Sequence, residues 1–232
     1  PFVGVLTGHS DSISAFAKCR TNITQVASGS YDGEIRYWDL AERRTIFNLN
    51  AHNGIVRGLT FCEDGLNFLS CGSDNKINYY RFHDCLEHYT DPEFAPTNIF
   101  TSKTVLTSID HHYSQRQFAT SGQYVQIWSY ERSLPIQSYD WGADSILKVR
   151  YNPAEPNLVG CVGLDRTITL YDIRGQTAIA KNAMKNKSMT LAWNPMEPIN
   201  FTVGNDDSNC YTFDMRKLDI IKMIHKDHIG AV

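Results

Sequence analysis

Apolar and polar residues alternate along much of this chain. Ile35 and Tyr37 flank Arg36, and Ile168 and Leu170 flank Thr169; residues two apart share one face of an extended strand. The pattern predicts half-buried β-strands, accompanied by short runs of small residues such as Ala27-Ser28-Gly29-Ser30. The pair Asp32-Gly33 suits a tight hairpin turn, because glycine adopts positive φ at little cost. Helical spacing of apolar residues is nearly absent. The expected fold class is all-β.

A longer period lies over the first. Asp32, Asp74, Asp165 and Asp207 each stand six residues before an aromatic: Trp38, Tyr80, Tyr171 and Phe213. The first two aspartates are 42 residues apart, as are the last two, and 91 residues separate the middle pair. A fixed period in the forties marks an array of repeated supersecondary units. The best-preserved copy has Gly8-His9, Ser28, Asp32-Gly33 and Trp38-Asp39, and the second has Ala51-His52, Ser70, Asp74 and Tyr80. A third keeps Ala119-Thr120-Ser121-Gly122 and Trp128, but its turn is two residues shorter and lacks the aspartate. The fourth shows Cys161, Asp165 and Tyr171-Asp172, and the fifth Asp206-Asp207 and Phe213-Asp214. Gly-His, a small-residue strand, an Asp-Gly turn and a Trp-Asp ending resemble the WD repeat. That resemblance implies a WD40 β-propeller, in which each copy is a four-stranded antiparallel blade covered by its neighbours.

Residues 1–232 are expected to form part of one propeller, with blades near 8–50, 51–100, 101–140, 141–183 and 184–224. Residues 1–7 are expected to be the outer strand that closes the last blade. Ile224 to Ile229 repeat the frame of Thr7 to Ile13, with His225 matching His9, and residues 225–232 are expected to start a sixth blade. Such ends imply a ring of seven blades when complete, about five of which are present. One stretch breaks the rhythm: Tyr80 to Trp128 takes 48 residues, against 43 from Trp128 to Tyr171. The excess falls in the 83–105 segment, chiefly between His83 and Pro96, and reads as an extended surface loop. It is either a partner-binding loop or a tolerated insertion.

Composition narrows the function classes. A chain with 42% hydrophobic and 20% charged residues can bury a full core. No run of about 18 apolar residues exists, and Pro1-Phe2-Val3 does not open a signal peptide, so no membrane partner is expected. A net charge of −3 gives no footing for strong non-specific nucleic-acid binding by the chain as a whole, although a local basic patch is compatible with it. The six cysteines include no Cys-x-x-Cys pair and read as reduced packing residues rather than disulfides or zinc ligands.

His9, Ser28, Asp32 and Trp38 contain the elements of a hydrolase triad, yet no Gly-x-Ser-x-Gly elbow accompanies them. The WD resemblance implies instead a structural tetrad of loop histidine, strand serine, turn aspartate and strand tryptophan. His52, Ser70 and Asp74 repeat it, with Tyr80 in the tryptophan position. In the fourth copy Gly142 and Cys161 stand where histidine and serine would be. Asp110-His111-His112 could be a metal fragment, but adjacent strand residues point to opposite faces. His111 aligns with Phe61, so a core or turn role is expected. No catalytic residue, cofactor or metal is predicted.

Two consecutive blades end in aromatic-Asp-x-Arg: Asp172 with Arg174, and Asp214 with Arg216. The motif resembles the one by which many WD-repeat substrate receptors dock on the adaptor of cullin-four ubiquitin ligases. A guanidinium suits bidentate pairing and aromatic stacking. The alternative is that each arginine only pairs with an aspartate of its own or a neighbouring blade.

Segments outside the repeat pattern make the resemblance narrower. Ala51-His52-Asn53-Gly54-Ile55-Val56-Arg57-Gly58, Ile109-Asp110-His111-His112, Trp141-Gly142-Ala143-Asp144-Ser145-Ile146, Ala192-Trp193-Asn194-Pro195-Met196-Glu197 and Asn209-Cys210-Tyr211-Thr212 are such segments. Together they resemble the Sof-type WD-repeat proteins of the small-subunit processome, also described as cullin-four-associated factors. The resemblance implies a non-enzymatic scaffold of the nucleus and nucleolus. Its partners would be processome assembly proteins, pre-ribosomal RNA and the U-three snoRNA-containing particle. The cullin-four ligase adaptor is the partner in the alternative reading, a ubiquitin-ligase substrate receptor.

Overall fold

The computed structural model describes residues 4–88, 95–140 and 145–232. Among them the chain forms twenty strands and one short helix. They fall into two compact units, one ending at His111 and the other beginning at His112.

In the first unit β1 (Ile13–Lys18), β2 (Gln25–Ser30), β3 (Glu34–Asp39) and β4 (Arg44–Asn50) form an antiparallel sheet in chain order. A second sheet joins β5 (Val56–Phe61), β6 (Asn67–Gly72) and β7 (Lys76–Arg81), then α1 (Phe82–His88) intervenes before β8 (Asn98–Thr101). The strand β9 (Ser108–His111) ends this unit. In the second unit β10 (Gln117–Ser121), β11 (Val125–Ser129) and β12 (Gln137–Tyr139) run antiparallel. Two complete four-stranded meanders follow. One comprises β13 (Ile146–Tyr151), β14 (Leu158–Gly163), β15 (Thr167–Asp172) and β16 (Ala178–Ala183). The other comprises β17 (Ser188–Trp193), β18 (Asn200–Asn205), β19 (Cys210–Asp214) and β20 (Lys217–His225). These four-stranded antiparallel meanders have the form of the propeller blades that the repeat pattern predicts.

The aspartate ruler has a local cause. The residue after each ruler aspartate has positive φ: Gly33 at 89°, Asn75 at 62°, Arg166 at 67° and Ser208 at 63°. Each aspartate Oδ1 accepts the amide two residues on, from Glu34 at 2.9 Å, and from Lys76, Thr167 and Asn209 at 3.2 Å. The carboxylate thus closes an Asx-type turn that reverses the chain between the second and third strands. At Gly33 a Cβ would lie 2.0 Å from the His52 carbonyl oxygen, so this turn needs glycine for space as well as for φ.

Burial corrects the half-buried expectation. Thr167 to Tyr171 are all buried along β15, and Ser70 and Leu69 are equally buried on opposite faces of β6. Middle strands are covered on both faces because sheet packs on sheet. Gly29 of β2 shows how closely: a Cβ there would sit 2.5 Å from Val56 Cγ1. Tyr37 stacks on Phe47 of its own sheet at 4.9 Å and meets Phe61 of the second sheet edge-on at 5.7 Å. Between the last two sheets, Val162, Leu170, Leu191, Phe201 and Phe213 share one core.

The 83–105 segment is not simply a loop. Its start continues the helix α1, which lays Phe82 against Tyr37 and Phe47 at 5.0 and 5.9 Å and buries Cys85 fully. The two residues are three apart and share a helix face. Residues 89–94 lie outside the described residues, as do Gly142 and residues 1–3. Of the expected outer strand, Gly4 to Thr7 carry no strand assignment. His225 closes β20 opposite Cys210, residues 226–232 carry no strand, and the Val232 amide donates to the Asn205 carbonyl at 3.0 Å. No described helix is long and apolar enough to cross a membrane.

Candidate functional site

The first predicted tetrad assembles with one member exchanged. Ser28 Oγ lies 2.6 Å from His9 Nε2 and accepts the Trp38 indole N–H at 2.7 Å. The other ring nitrogen, His9 Nδ1, lies 3.2 Å from Glu34 Oε2 and does not meet Asp32. Asp32 instead accepts the Ser10 hydroxyl at 2.5 Å, and with the Glu34 amide this holds its carboxyl below the usual range. Glu34 is a hub: the Arg36 guanidinium grips both its oxygens at 2.9 Å, and Asn48 Nδ2 donates at 3.0 Å. Sequence reasoning missed Glu34. The signal was available in β3 and β4, where Glu34, Arg36 and Asn48 are polar residues on neighbouring strands.

In the second sheet the histidine does take the ruler aspartate. His52 Nδ1 lies 2.9 Å from Asp74 Oδ1, and Nε2 lies 2.8 Å from Ser70 Oγ. Burial lowers the His52 pKa, against the opposing pull of Asp74, so the ring is neutral. Tyr80 takes no part in that relay; its hydroxyl accepts from Asn78 Nδ2 at 3.3 Å. The third repeat keeps the link from Trp128 Nε1 to Thr120 Oγ1, at 2.9 Å. Further on, Cys161 Sγ donates to the Thr169 carbonyl at 3.5 Å, and Asp207 accepts from the Tyr211 hydroxyl at 2.6 Å.

None of this resembles a hydrolytic centre. Ser28 is 3% exposed, and its oxygen already receives the indole N–H. The networks satisfy buried polar groups and tie each sheet's loops to its strands. All six cysteines are free thiols and five are buried; burial pushes the Cys85 and Cys161 thiols up to about 12.

The arginine pair has a different character. Each arginine sits in the turn after the third strand of its sheet, and each folds back on the aspartate two residues earlier. Arg174 donates from Nε to Asp172 Oδ1 at 2.9 Å and from Nη2 to Oδ2 at 2.6 Å. Arg216 repeats the clamp on Asp214 at 3.0 and 2.7 Å. The clamp draws down the pKa of Asp172, and that of Asp214 to about 2. Own-blade pairing is therefore real, yet the guanidinium groups stay 71% and 66% exposed. The clamp uses Nε and Nη2, so Nη1 of each guanidinium takes no part in it. Beside Arg174 an open pocket of about 430 Å³ is lined by Gln115, Gln117, Ile136, Asn157 and Ile173.

His111 and His112 are fully buried, at a strand end and a turn. His112 Nδ1 accepts the amides of Ser114 and Gln115 at 3.1 and 2.9 Å. His111 faces elsewhere, with Nε2 3.2 Å from Glu63 Oε2.

Residues 1–39 and 43–81 match the WD domain, G-beta repeat. The whole chain is 43% identical over 234 residues to DDB1- and CUL4-associated factor 13 of Homo sapiens, and 42% identical to that of Danio rerio, covering 52% of each. It is 36% identical over 233 residues to Protein sof1 of Schizosaccharomyces pombe, covering 51% of it. The chain thus spans about half the length of the curated relatives it matches.

Proposed function

Because the chain is a WD-repeat protein homologous to Protein sof1 and the DDB1- and CUL4-associated factor 13 proteins, we propose that it is a non-enzymatic scaffold of small ribosomal subunit biogenesis. It acts in the nucleolus on pre-ribosomal RNA, within the U-three snoRNA-containing particle and among its assembly proteins. The observation that carries this reading is the similarity of the whole chain to about half of Protein sof1 and of the DDB1- and CUL4-associated factor 13 proteins. The buried, mutually satisfied His-Ser networks support the non-enzymatic part. Depletion of the natural protein should accumulate unprocessed small-subunit precursor RNA, and re-expression should restore cleavage. Unchanged precursor levels after depletion would remove the reading.

A second role is favoured by the arginine pair: docking on a cullin-four ligase adaptor as a substrate receptor. Arg174 and Arg216 occupy the same position in two sheets that share a core, and each is oriented by hydrogen bonds to its own aspartate. Preorganised planar cations lose little freedom on pairing with carboxylates or stacking on aromatics. Replacing both by alanine should reduce adaptor co-purification at least tenfold and leave early pre-rRNA cleavage intact. Loss of cleavage with retained adaptor would assign the arginines to assembly instead.

A further inference from the structure

The turn after β5 and the end of β9 bring three different metal-ligating side chains together. Cys62 and Glu63 leave β5 where the chain enters a turn, so the opposite-face rule for strand neighbours does not apply to them. The turn is fixed: the Cys62 amide donates to the Asn67 carbonyl at 2.9 Å, and Asp64 Oδ1 accepts the amides of Leu66 and Asn67 at 2.9 and 3.0 Å. From the third sequence repeat, His111 enters beside them. Its amide donates to Thr60 Oγ1 at 3.3 Å and its carbonyl accepts from Arg20 Nη2 at 3.0 Å. The potential ligand atoms of Cys62, Glu63 and His111 all lie within 4.8 Å of one another, with His111 Nε2 3.2 Å from Glu63 Oε2.

We propose that Cys62, Glu63 and His111 form a binding site for a divalent cation of the zinc class. One sulfur, one imidazole nitrogen and one carboxylate oxygen is a donor set of borderline softness, which suits zinc and cobalt and not calcium or magnesium. Bonds of about 2.0 to 2.3 Å in tetrahedral geometry place ligand atoms roughly 3.3 to 3.8 Å apart. The three therefore need to close by at most about 1.5 Å. Cys62 and His111 are buried, whereas the Glu63 side chain is 28% exposed and gives the ion a way in. As thiolate and carboxylate the site carries two negative charges, which the cation balances. The Arg20 guanidinium is turned to Asp110 and the His111 carbonyl. Cys19 Sγ is occupied differently, donating to the Gly65 carbonyl at 3.2 Å.

The site ties two successive repeats of the first unit, and its role is to fasten them. The sequence offered His111 only beside Asp110 and His112; its grouping with Cys62 and Glu63 was not legible because they are far apart along the chain and match no ligand spacing. Cobalt titration of the reduced, natural full-length protein tests it. The expected result is a thiolate-to-cobalt absorption band that saturates at one cobalt per chain and is displaced by zinc. Cys62→Ser should abolish the band while the far-ultraviolet circular dichroism holds. Glu63→Gln, at a partly exposed position that tolerates change, should weaken cobalt binding by about tenfold or more. Absence of the band in the unaltered protein, its persistence in Cys62→Ser, or undiminished affinity in Glu63→Gln would each overturn the assignment.

Discussion

Four ruler aspartates do one job each, and the residue that follows them shows what the job is. Gly33, Asn75, Arg166 and Ser208 all take left-handed backbone, but only the first is the residue type that adopts it freely. Arg166→Gly should therefore raise stability by up to about 1 kcal/mol, while Gly33→Ala should lower it by more than about 1 kcal/mol, because the Cβ meets the His52 carbonyl. Urea denaturation of the two variants checks both signs. Ser28 is the second informative residue. Ser28→Ala strands the indole N–H of Trp38 and a buried nitrogen of His9. The expected cost is about 1 to 3 kcal/mol per stranded group. At this scale the sequence was legible where a residue acts through its own turn. It was not legible where an unrelated residue fills the same space: Glu34 replaces Asp32 beside His9, and nothing in the repeat pattern distinguishes the two carboxylates.

Among the elements, strands were readable and their covering was not. Alternation located β3 and β15, but period two cannot say that a second sheet covers the far face. The short helix α1 was hidden because Phe82 and Cys85 are too few apolar positions to set a helical period. Its core role is nevertheless clear, and Cys85 should resist thiol reagents in the folded protein. Cys210, the one cysteine not buried, should label first, and the others only after unfolding. Mass spectrometry of partially alkylated protein reads that order. His52 gives the second sheet a pH response. Its folded pKa is depressed below the ordinary 6.5, so the unfolded chain binds a proton that the folded one refuses. The contribution is intact above about pH 6.5 and is lost as pH falls below it, by at most about 1.4 kcal/mol per pH unit for one proton. Replacing His52 by glutamine should flatten the fall of the urea midpoint between pH 7 and 5.

For the whole molecule, the repeat period specified the architecture and its departures specified the surfaces. The Asp-x-Arg endings were visible as a pattern at Asp172, Arg174, Asp214 and Arg216. What the sequence could not show was that each arginine is clamped by its own aspartate and still mostly exposed. With Asp214 at about 2, that clamp stays ionised throughout the neutral range, so binding through these arginines should not vary between pH 6 and 8. The reading of the molecule as a scaffold rests on what it carries, and this can be asked directly. Purification of the tagged, natural full-length protein from growing cells, followed by sequencing of the bound RNA, makes the most direct measurement. The account predicts enrichment of small-subunit precursor RNA and the U-three snoRNA, undiminished in the Arg174→Ala, Arg216→Ala variant. A particle devoid of precursor RNA in the unaltered protein would contradict it.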